Sequence, residues 1–492
     1  MVRRAAWPGP ARAAREAGVV WSGAVGIEGH DHLDGDVDVV VVGAGLSGLI
    51  CARALRLQGK RVRILEARER PGGRLHSRPT ALGLEVDLGG QWGGHTHHRL
   101  AALLEEFQLR RFPSHYDGDG IFHWRGVPRR APLEKRFSDS LLFFQPAALG
   151  LDPRQVGQAL ELRARLERLA AQVPAAAPWT APDATALDHS TIAAWLAAHQ
   201  AGPLACHVFR WLSRVGGSGG FELHESSLLH LAWTQAVAPQ GETPEAWLVE
   251  GGMGQLGRRL AAELADSLRL RAPVHAIEQT AAAARVHHSD GRVVEARTVV
   301  VAIPPALRTG IRFSPPLPPD WTALLQRSPM GGMVKVLAVY PEAFWRQEGL
   351  NGLGVGDRPL LELTADSSPP GGQPGLLASF IAADAAARWW RQDPKTRQER
   401  VLADLAAYWG PRAASPSELI LHNWNEEPWT RGAFTSFLTP GAWSTHGPIW
   451  QQPHGRVLWA GTEAALRWPG YFEGAIEAGL AAAERAGEWL AG

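Results

Sequence analysis

The sequence contains few cysteines and no long apolar run. Among 492 residues there are only two cysteines, Cys51 and Cys206, too few for a disulfide framework or a metal cluster, which fits a reducing compartment. No run of about 18 apolar residues occurs, so no membrane-spanning helix is expected. The formal net charge of +1 lacks the basic excess of nucleic-acid-binding surfaces. We therefore expect a cytoplasmic protein without a bound metal that binds neither membranes nor nucleic acids.

Lysine is also scarce. The chain has only four lysines, at positions 60, 135, 335 and 395, although arginine is abundant. Lys335 lies in the apolar, strand-like stretch 330–339, where burying an ammonium group is costly unless it has partners. Lysine also differs from arginine in being a compact charge that can lose its proton. Lys335 is therefore a candidate functional residue, and the alternative is a lysine at a sheet edge that reaches solvent.

The length of 492 residues exceeds that of one compact core and predicts about two to four domains. Residues 1–35 are rich in arginine but lack the apolar stretch of a secretory signal, so we expect a disordered extension. Residues 112–250 are expected to be mostly helical, and 155–172 to be a helix with a solvated charged face. Strand-like, glycine-rich segments recur near residues 36–66, 250–303 and 456–490, which indicates a nucleotide-binding fold in three pieces.

The clearest unit is a strand, a glycine turn and a helix at residues 38–58. Val39–Val42 reads as a buried strand, and Gly43, Gly45 and Gly48 form a GxGxxG motif before the helix. The glycines allow a tight turn, close approach of a pyrophosphate and close packing of the helix, whose N-terminus attracts anions. Glu66 ends the next strand, eighteen residues after Gly48, where it can accept hydrogen bonds from ribose hydroxyls.

The segment that follows Glu66 favours FAD over NAD. Gly72, Gly73 and Arg74 lie just beyond the acid, and Arg74 can pair with a pyrophosphate. An NAD site does not need a second loop of this kind. The motif therefore predicts a Rossmann-type domain that binds FAD.

Motifs along the whole chain carry a family resemblance. The sequence resembles the flavin-containing amine oxidases, and among them most the monoamine oxidase type, over roughly residues 36–490. The matching pieces are Val-Val-Gly-Ala-Gly-Leu-Ser-Gly-Leu at 41–49, Leu-Glu-Ala-Arg-x-Arg-x-Gly-Gly-Arg at 65–74, Asp-Leu-Gly-Gly at 87–90, Gly-Met-Val-Lys at 332–335, Ala-Gly-Thr-Glu at 460–463 and Trp-x-Gly-Tyr at 468–471.

The resemblance implies roles for individual residues. Lys335 would hold a water molecule against the flavin, and Tyr471 would form one wall of an aromatic cage beside the flavin ring. Together with the glycine motif, the resemblance assigns contacts with FAD to Gly43, Gly45, Gly48, Glu66, Arg68, Gly73, Arg74, Gly90, Gln91, Trp92, Val274, Trp424, Gly461, Glu463 and Ala475.

Two positions depart from the mitochondrial monoamine oxidases. Where those enzymes have a flavin-binding cysteine followed by a cage tyrosine, this chain has Ala433 and Phe434. The resemblance therefore implies non-covalent FAD and a cage of Phe434 and Tyr471. The cluster of His95, His97 and His98 lacks further metal ligands and is expected to lie at the surface or in a loop.

The resemblance implies the two-domain amine oxidase fold, of mixed α/β class. We expect an FAD-binding domain of residues 36–111, 250–322 and 427–492, and a substrate-binding domain of residues 112–249 and 323–426. A homodimer is one expected assembly.

The implied activity is the oxidation of a small amine by dioxygen, which gives an imine, then an aldehyde and ammonia, and hydrogen peroxide. Three alternatives stay open. An L-amino-acid oxidase needs an arginine for the substrate carboxylate, a polyamine or diamine oxidase needs an acid deep in the cavity, and a flavin-dependent desaturase, isomerase or binding protein would not need Lys335.

Overall fold

The computed structural model describes residues 36–134, 143–216, 219–238, 243–358 and 360–491. The expected disordered extension, residues 1–35, lies outside this part. Residues from Asp36 onward belong to one compact unit.

Strands and helices alternate along the first segment and mix irregularly later. The strands are β1 Val37–Val42, β2 Val62–Leu65, β3 Ser77–Pro79, β4 Glu85–Asp87, β5 Arg111–Pro113, β6 Asp119–Trp124, β7 Val127–Pro132, β8 Trp247–Val249, β9 Leu268–Arg269, β10 Val274–Gln279, β11 Ala284–His288, β12 Val293–Val301, β13 Arg312–Ser314, β14 Met333–Tyr340, β15 Leu350–Gly356, β16 Leu363–Asp366, β17 Gly375–Ala382, β18 Glu418–Asn423 and β19 Val457–Trp459. The α-helices are α1 Leu46–Leu57, α2 His98–Glu106, α3 Pro153–Ala170, α4 Ala184–His189, α5 Ile192–Ala198, α6 Pro203–Arg214, α7 Leu228–Val237, α8 Gly254–Glu263, α9 Pro305–Arg308, α10 Pro319–Gln326, α11 Phe344–Gln347, α12 Ala383–Trp390, α13 Pro394–Trp409, α14 Ala442–His446 and α15 Phe472–Ala491.

The first large sheet is built around β1. Its order is β13-β10-β11-β12-β1-β2-β9, and β19 also pairs with β12. The neighbours β2 and β12 run parallel to β1, so Val41 lies between Ile64 and Val300. All three side chains are fully buried, as expected for parallel strands with both faces covered. The three predicted pieces of the nucleotide-binding fold therefore meet in one sheet.

Two helices cover one face of this sheet. Leu49 and Leu55 of α1 are fully buried in the same apolar cluster as Ala483 and Ala486 of α15. Gly479 of α15 packs so closely on α1 that a Cβ there would lie 2.4 Å from the carbonyl oxygen of Ser47. Small residues in the last helix therefore bring it against the helix that follows the glycine turn.

The second large sheet has the order β18-β14-β17-β16-β15-β6-β7. Strand β14 lies between β17 and β18 and is buried along its whole length, so Lys335 is not an edge-strand residue. Helices α3 to α7 form a separate helical layer.

Two expectations for residues 112–250 need correction. The stretch is not mostly helical at its ends, because β6 and β7 form a hairpin and β8 pairs with β5. The strand Val127–Pro132 is mostly exposed, and its prolines and arginines interrupt the alternation of apolar and polar residues that would predict a strand. The predicted helix at 155–172 is present as α3, but it buries Ala159, Leu162 and Leu166 as well as exposing charged side chains.

Candidate active site

A cavity of about 690 Å³ collects residues from both large sheets and from the helical layer. Of the predicted site residues, all but Gly48 lie in its wall. These wall residues are Gly43, Gly45, Glu66, Arg68, Gly73, Arg74, Gly90, Gln91, Trp92, Val274, Lys335, Trp424, Phe434, Gly461, Glu463, Tyr471 and Ala475.

Gly43 and Gly45 line one part of the cavity, and Gly48 lies behind them in α1. Gly43 has φ +102°, which favours glycine, and a Cβ on Gly48 would lie 2.0 Å from the carbonyl oxygen of Gly43. A Cβ on Gly45 would meet no protein atom within 4 Å. Gly48 thus serves the packing of α1, whereas Gly45 borders open space at the N-terminus of α1, where no side chain caps the helix. That combination fits a pyrophosphate.

The carboxylate of Glu66 is fixed at the end of β2. It accepts hydrogen bonds from the backbone N–H of Ala44 at 2.7 Å and of Arg68 at 3.0 Å. A carboxylate has about four acceptor positions, so two remain for ribose hydroxyls. Arg68 lies beside it and pairs with Glu427 at 3.3 Å. The residues of this end therefore fit the ribose and diphosphate of a dinucleotide.

Arg74 and Glu463 form an ion pair in the wall of the cavity. Arg74 Nη1 lies 2.8 Å from Glu463 Oε1 and also donates to the carbonyl oxygen of Phe434 at 2.7 Å. Burial alone would raise the pKa of Glu463, but the Arg74 guanidinium outweighs it and holds this pKa below its usual value. Arg74 is thus engaged with protein groups and also lines the cavity.

Lys335 is 2% exposed and projects from β14 toward the segment after β4. Its Nζ donates to the carbonyl oxygen of Gly89 at 2.7 Å and to Gln91 Oε1. The ammonium also lies 5.9 Å from the ring centre of Trp92 and 6.0 Å from that of Phe380. Burial lowers the pKa of Lys335 to about 7, and the attraction of Asp87 opposes the shift.

Asp87 is the acid that attracts the Lys335 ammonium, but its carboxylate is hydrogen-bonded to other groups. Its carboxylate accepts from the N–H groups of Met253 at 2.9 Å and Gly254 at 3.2 Å, at the start of α8. Burial raises the pKa of Asp87, while Lys335 and these donors oppose the shift. Lys335 therefore has a partial counter-charge, and its third N–H position has no acceptor among the described residues.

Two aromatic groups flank the chamber beside Lys335. Phe434 meets Phe380 edge to face, with ring centres 5.2 Å apart. Tyr471 packs on Trp468 and His97 at 5.0 and 5.6 Å. His97 lies in the loop before α2, one of the two expected positions, and it is fully buried because its ring completes this aromatic packing. Its burial also lowers its pKa to about 4.

The wall also contains charged residues that the sequence did not single out, namely Glu245, Arg163 and Arg431. Glu245 lies just before β8, and Arg163 extends from α3 into the same cavity. Arg163 has an ion pair with Glu167 at 3.4 Å, and its side chain is only 22% exposed. Burial lowers the pKa of Arg163. Its alternation with glutamates resembled a solvated helix face, so only the tertiary fold distinguishes it from its neighbours.

Neither cysteine lies in the cavity wall. Cys51 is buried within α1, and burial raises the pKa of its thiol to about 12. Cys206 lies on α6 and is partly exposed. Ala433 and Phe434 line the cavity. They stand at the positions where the mitochondrial monoamine oxidases have a cysteine and a tyrosine. In the part of the chain that the structure describes, no helix is long and apolar enough to cross a membrane.

Comparisons with known proteins identify the family of the chain. The model of the family described as flavin containing amine oxidoreductase matches residues 46–486. The chain is 38% identical to the L-amino acid dehydrogenase of Synechocystis sp., over 91% of this chain and 94% of the relative. It is 32% identical to the flavin-containing amine oxidase B of Cavia porcellus, over 91% and 85% of the two chains.

A solved structure shows the same fold. The cyclohexylamine oxidase of Brevibacterium oxydans aligns with a TM-score of 0.86 and 31% identity, covering 93% of this chain and all of that one. The predicted two-domain amine oxidase fold is thereby confirmed, as is the resemblance to the monoamine oxidases. This chain belongs to the flavin-containing amine oxidoreductases, enzymes that oxidise small amines with a flavin.

Proposed function

We propose that the protein is an FAD-dependent oxidase that converts a primary amine into an imine. The imine is then hydrolysed to an aldehyde and ammonia, and dioxygen is reduced to hydrogen peroxide. The observation that carries the proposal is one cavity whose wall contains Gly45 and Glu66, which fit a dinucleotide, together with Lys335 and the aromatic side chains of Phe434 and Tyr471.

The arrangement of the sheets supports FAD as the cofactor and the predicted division into domains. Every strand of the sheet around β1 falls within residues 36–111, 250–322 and 427–492, the proposed FAD-binding domain. Every strand of the sheet around β14 falls within the proposed substrate-binding domain, residues 112–249 and 323–426. When bound, FAD supplies the two-electron oxidation of the amine and the transfer of electrons to dioxygen.

The protein contributes orientation, desolvation and one polar group. Phe434 and Tyr471 present apolar faces to the amine, and the apolar wall excludes water from the reacting carbon. Lys335 uses two of its donor positions on Gly89 and Gln91, which aims the remaining one. It can hold a water molecule there, next to the proposed flavin site.

Non-covalent binding of FAD is part of the proposal. It is supported by the positions of Cys51 and Cys206, neither of which lines the cavity. Acid precipitation should release the flavin into the supernatant. Flavin that stays with the precipitated protein would contradict this point.

The test of the function is anaerobic reduction of the purified flavoprotein by a panel of amines, amino acids and polyamines. Loss of the flavin absorbance with a primary amine, reversed by air with formation of hydrogen peroxide, is the expected result. Reduction by no member of the panel, without peroxide, would favour a desaturase, an isomerase or a non-oxidase flavoprotein instead.

Amino-acid oxidation is a second candidate that one observation favours. Arg163 is the arginine that the helical layer places in the cavity wall, which meets the requirement for a carboxylate partner. The relative from Synechocystis is also named for L-amino acids. Phenylalanine and 2-phenylethylamine, which differ only by the carboxylate, distinguish the two candidates.

The variant Arg163→Met makes this comparison specific. If the carboxylate binds to Arg163, kcat/KM should fall for phenylalanine by roughly 10- to 100-fold and stay within about twofold for 2-phenylethylamine. Arg165→Met is the matched control, because Arg165 lies on the same helix and pairs with Glu161 at the surface. Equal losses for both substrates would remove Arg163 as a carboxylate partner.

A further inference from the structure

We propose that the carboxylate of Glu245 binds the ammonium group of the incoming substrate and accepts the proton that this group must lose before oxidation. The inference rests on the proposed amine oxidation and assigns a proton acceptor to the same site.

The backbone turn before β8 fixes the Glu245 side chain. The Thr243 hydroxyl accepts a hydrogen bond from the backbone N–H of Glu245 at 3.2 Å and donates to its Oε2 at 3.0 Å. The carbonyl oxygen of Glu245 accepts from Ser114 at 2.6 Å and from Tyr116 at 3.0 Å. Both ends of the residue are therefore anchored, and the carboxylate has a defined position in the cavity wall.

One carboxylate oxygen is left for a ligand. Among the described residues, no hydrogen-bond donor reaches Oε1 of Glu245, although the group is largely buried. A buried carboxylate without a counter-charge is costly, and a cation that enters the cavity would relieve the cost. An ammonium supplies up to three N–H donors and the missing charge.

The groups around Glu245 are consistent with this role. Among the described residues, the phenols of Tyr116 and Tyr471 interact electrostatically with the carboxylate, and burial raises the pKa of each. Arg163, Lys335 and the neutral, buried His230 lie elsewhere in the wall of the same cavity. Because Tyr471 also forms the proposed aromatic cage, Glu245 lies on the side of the cavity where the reacting amine is expected.

Burial brings the pKa of the Glu245 carboxylate and the pKa of an ammonium group in this cavity closer together. It raises the pKa of Glu245 to about 7, with the Thr243 hydroxyl opposing the shift. It also lowers the pKa of the Lys335 ammonium, in the wall of the same cavity, to about 7. A substrate ammonium in this environment is expected to shift in the same direction as Lys335. The free energy of moving a proton from the ammonium to the carboxylate is then close to zero.

The proposed step conserves atoms and charge. An N–H bond of the substrate ammonium breaks and an O–H bond forms on Glu245, while the electron pair of the broken bond stays on nitrogen. The ion pair becomes a neutral amine beside a neutral carboxylic acid. The acid returns its proton to water when the product leaves and the cavity is hydrated.

The first test measures binding without turnover. Benzyltrimethylammonium carries a fixed positive charge and no nitrogen lone pair, so it can bind but cannot be oxidised as an amine. Its binding to the holoenzyme is followed by the perturbation of the flavin spectrum. In the wild type, affinity should rise about tenfold or more between pH 6 and pH 8.5, as the carboxylate ionises.

Glu245→Gln should lose most of this rise, and Glu250→Gln should keep it. Glu250 lies five residues further on and pairs with Arg110 on the surface, which makes it a matched control. Lys335 loses its charge over the same pH range, so a smaller rise is expected to persist in Glu245→Gln. The same pH dependence in Glu245→Gln as in the wild type would overturn the proposal.

A second variant keeps the test valid if Glu245→Gln does not fold, as judged from flavin content and thermal unfolding. Thr243→Val retains the carboxylate but removes the hydroxyl that stabilises its charge. The midpoint of the pH-dependent cation binding should therefore move to higher pH. An unchanged midpoint would contradict the role of Glu245.

The reductive half-reaction provides the second readout. In Glu245→Gln, the acidic limb of the rate of flavin reduction should shift toward the pKa of the substrate ammonium, and Glu245→Asp should restore part of the wild-type profile. A loss confined to diamines, with monoamines unaffected, would instead identify a distant cation anchor and overturn the proposal. If no amine reduces the wild-type flavin, the proposed function fails, whereas cation binding still reports on Glu245.

Discussion

The ammonium of Lys335 is hydrogen-bonded to two oxygen atoms and lies near two aromatic rings. Its donors engage Gly89 and Gln91, and the rings of Trp92 and Phe380 lie close to the charge. Burial lowers its pKa to about 7, so its charge changes near neutral pH. At the scale of one residue, the surroundings therefore convert an ordinary lysine into a group suited to positioning water or exchanging a proton.

Lys335→Met tests this role. Methionine fills a similar volume without the donors, so the protein should fold and retain FAD, while the rate of flavin reoxidation by dioxygen should fall by roughly 10-fold or more. Stopped-flow absorbance on the reduced enzyme measures this rate. Lys395→Met, at a side chain that is 86% exposed, is the control. Reoxidation and turnover at wild-type rates would remove Lys335 from the mechanism.

In the turn between β1 and α1, some glycines are needed for folding and another is needed for binding. Gly43 and Gly48 are required by the backbone itself, since side chains there would collide with protein atoms. Gly45 has an extended conformation with φ −68°, which any residue can adopt, and its Cβ would point into open space. The first and third glycines therefore build the turn, whereas the second leaves room for a ligand.

Gly45→Ala should therefore lose flavin without losing the fold. The alanine Cβ occupies the space proposed for the cofactor, and the apoprotein should be stabilised by about 0.5 kcal/mol because the unfolded chain has less freedom. The measurements are the flavin content after purification and the unfolding of the flavin-free protein. Gly157→Ala, on α3 with equally open surroundings, is the matched control and should retain flavin. Full flavin occupancy in Gly45→Ala would contradict the assignment.

At the scale of the whole molecule, ion pairs tie distant segments around the cavity. Arg74 and Glu463 are 389 positions apart, and Arg74 also reaches the Phe434 carbonyl. Glu463 is buried, so its charge depends on this partner. The pair thus joins the segment after Glu66 to the C-terminal segment that carries Tyr471.

Arg74→Ala should destabilise the flavin-free protein by about 3 kcal/mol, because it leaves a buried carboxylate unpaired. Denaturant unfolding measures the change. The double variant with Glu463→Gln should cost less than the sum of the two single changes, since the unpaired charge is then absent. Arg271→Ala is the control for a surface pair, with Glu69, and should cost less than about 1 kcal/mol. Equal costs at both arginines would show that Arg74 is not a structural link.

Local patterns in the sequence determined the nucleotide-binding unit. The run before Gly43, the spacing of the glycines and the acid at Glu66 depend on contacts between near neighbours, which a pattern can encode. The motifs from Gly89 to Tyr471 also predicted the family, the flavin cofactor and a functional role for Lys335. Those residues do line one cavity, although their individual roles remain predictions.

Only the tertiary structure decided that Glu245 and Arg163 face the cavity. Glu245 and Arg163 lie in segments whose local pattern resembles a loop and a solvated helix, and His97 resembles a surface histidine. Glu245 and Arg163 share one cavity wall because a loop, the helical layer and two sheets close around one space. Adjacency between such distant segments leaves no periodic signal in the chain, so Glu245 and Arg163 could not be chosen from the sequence alone.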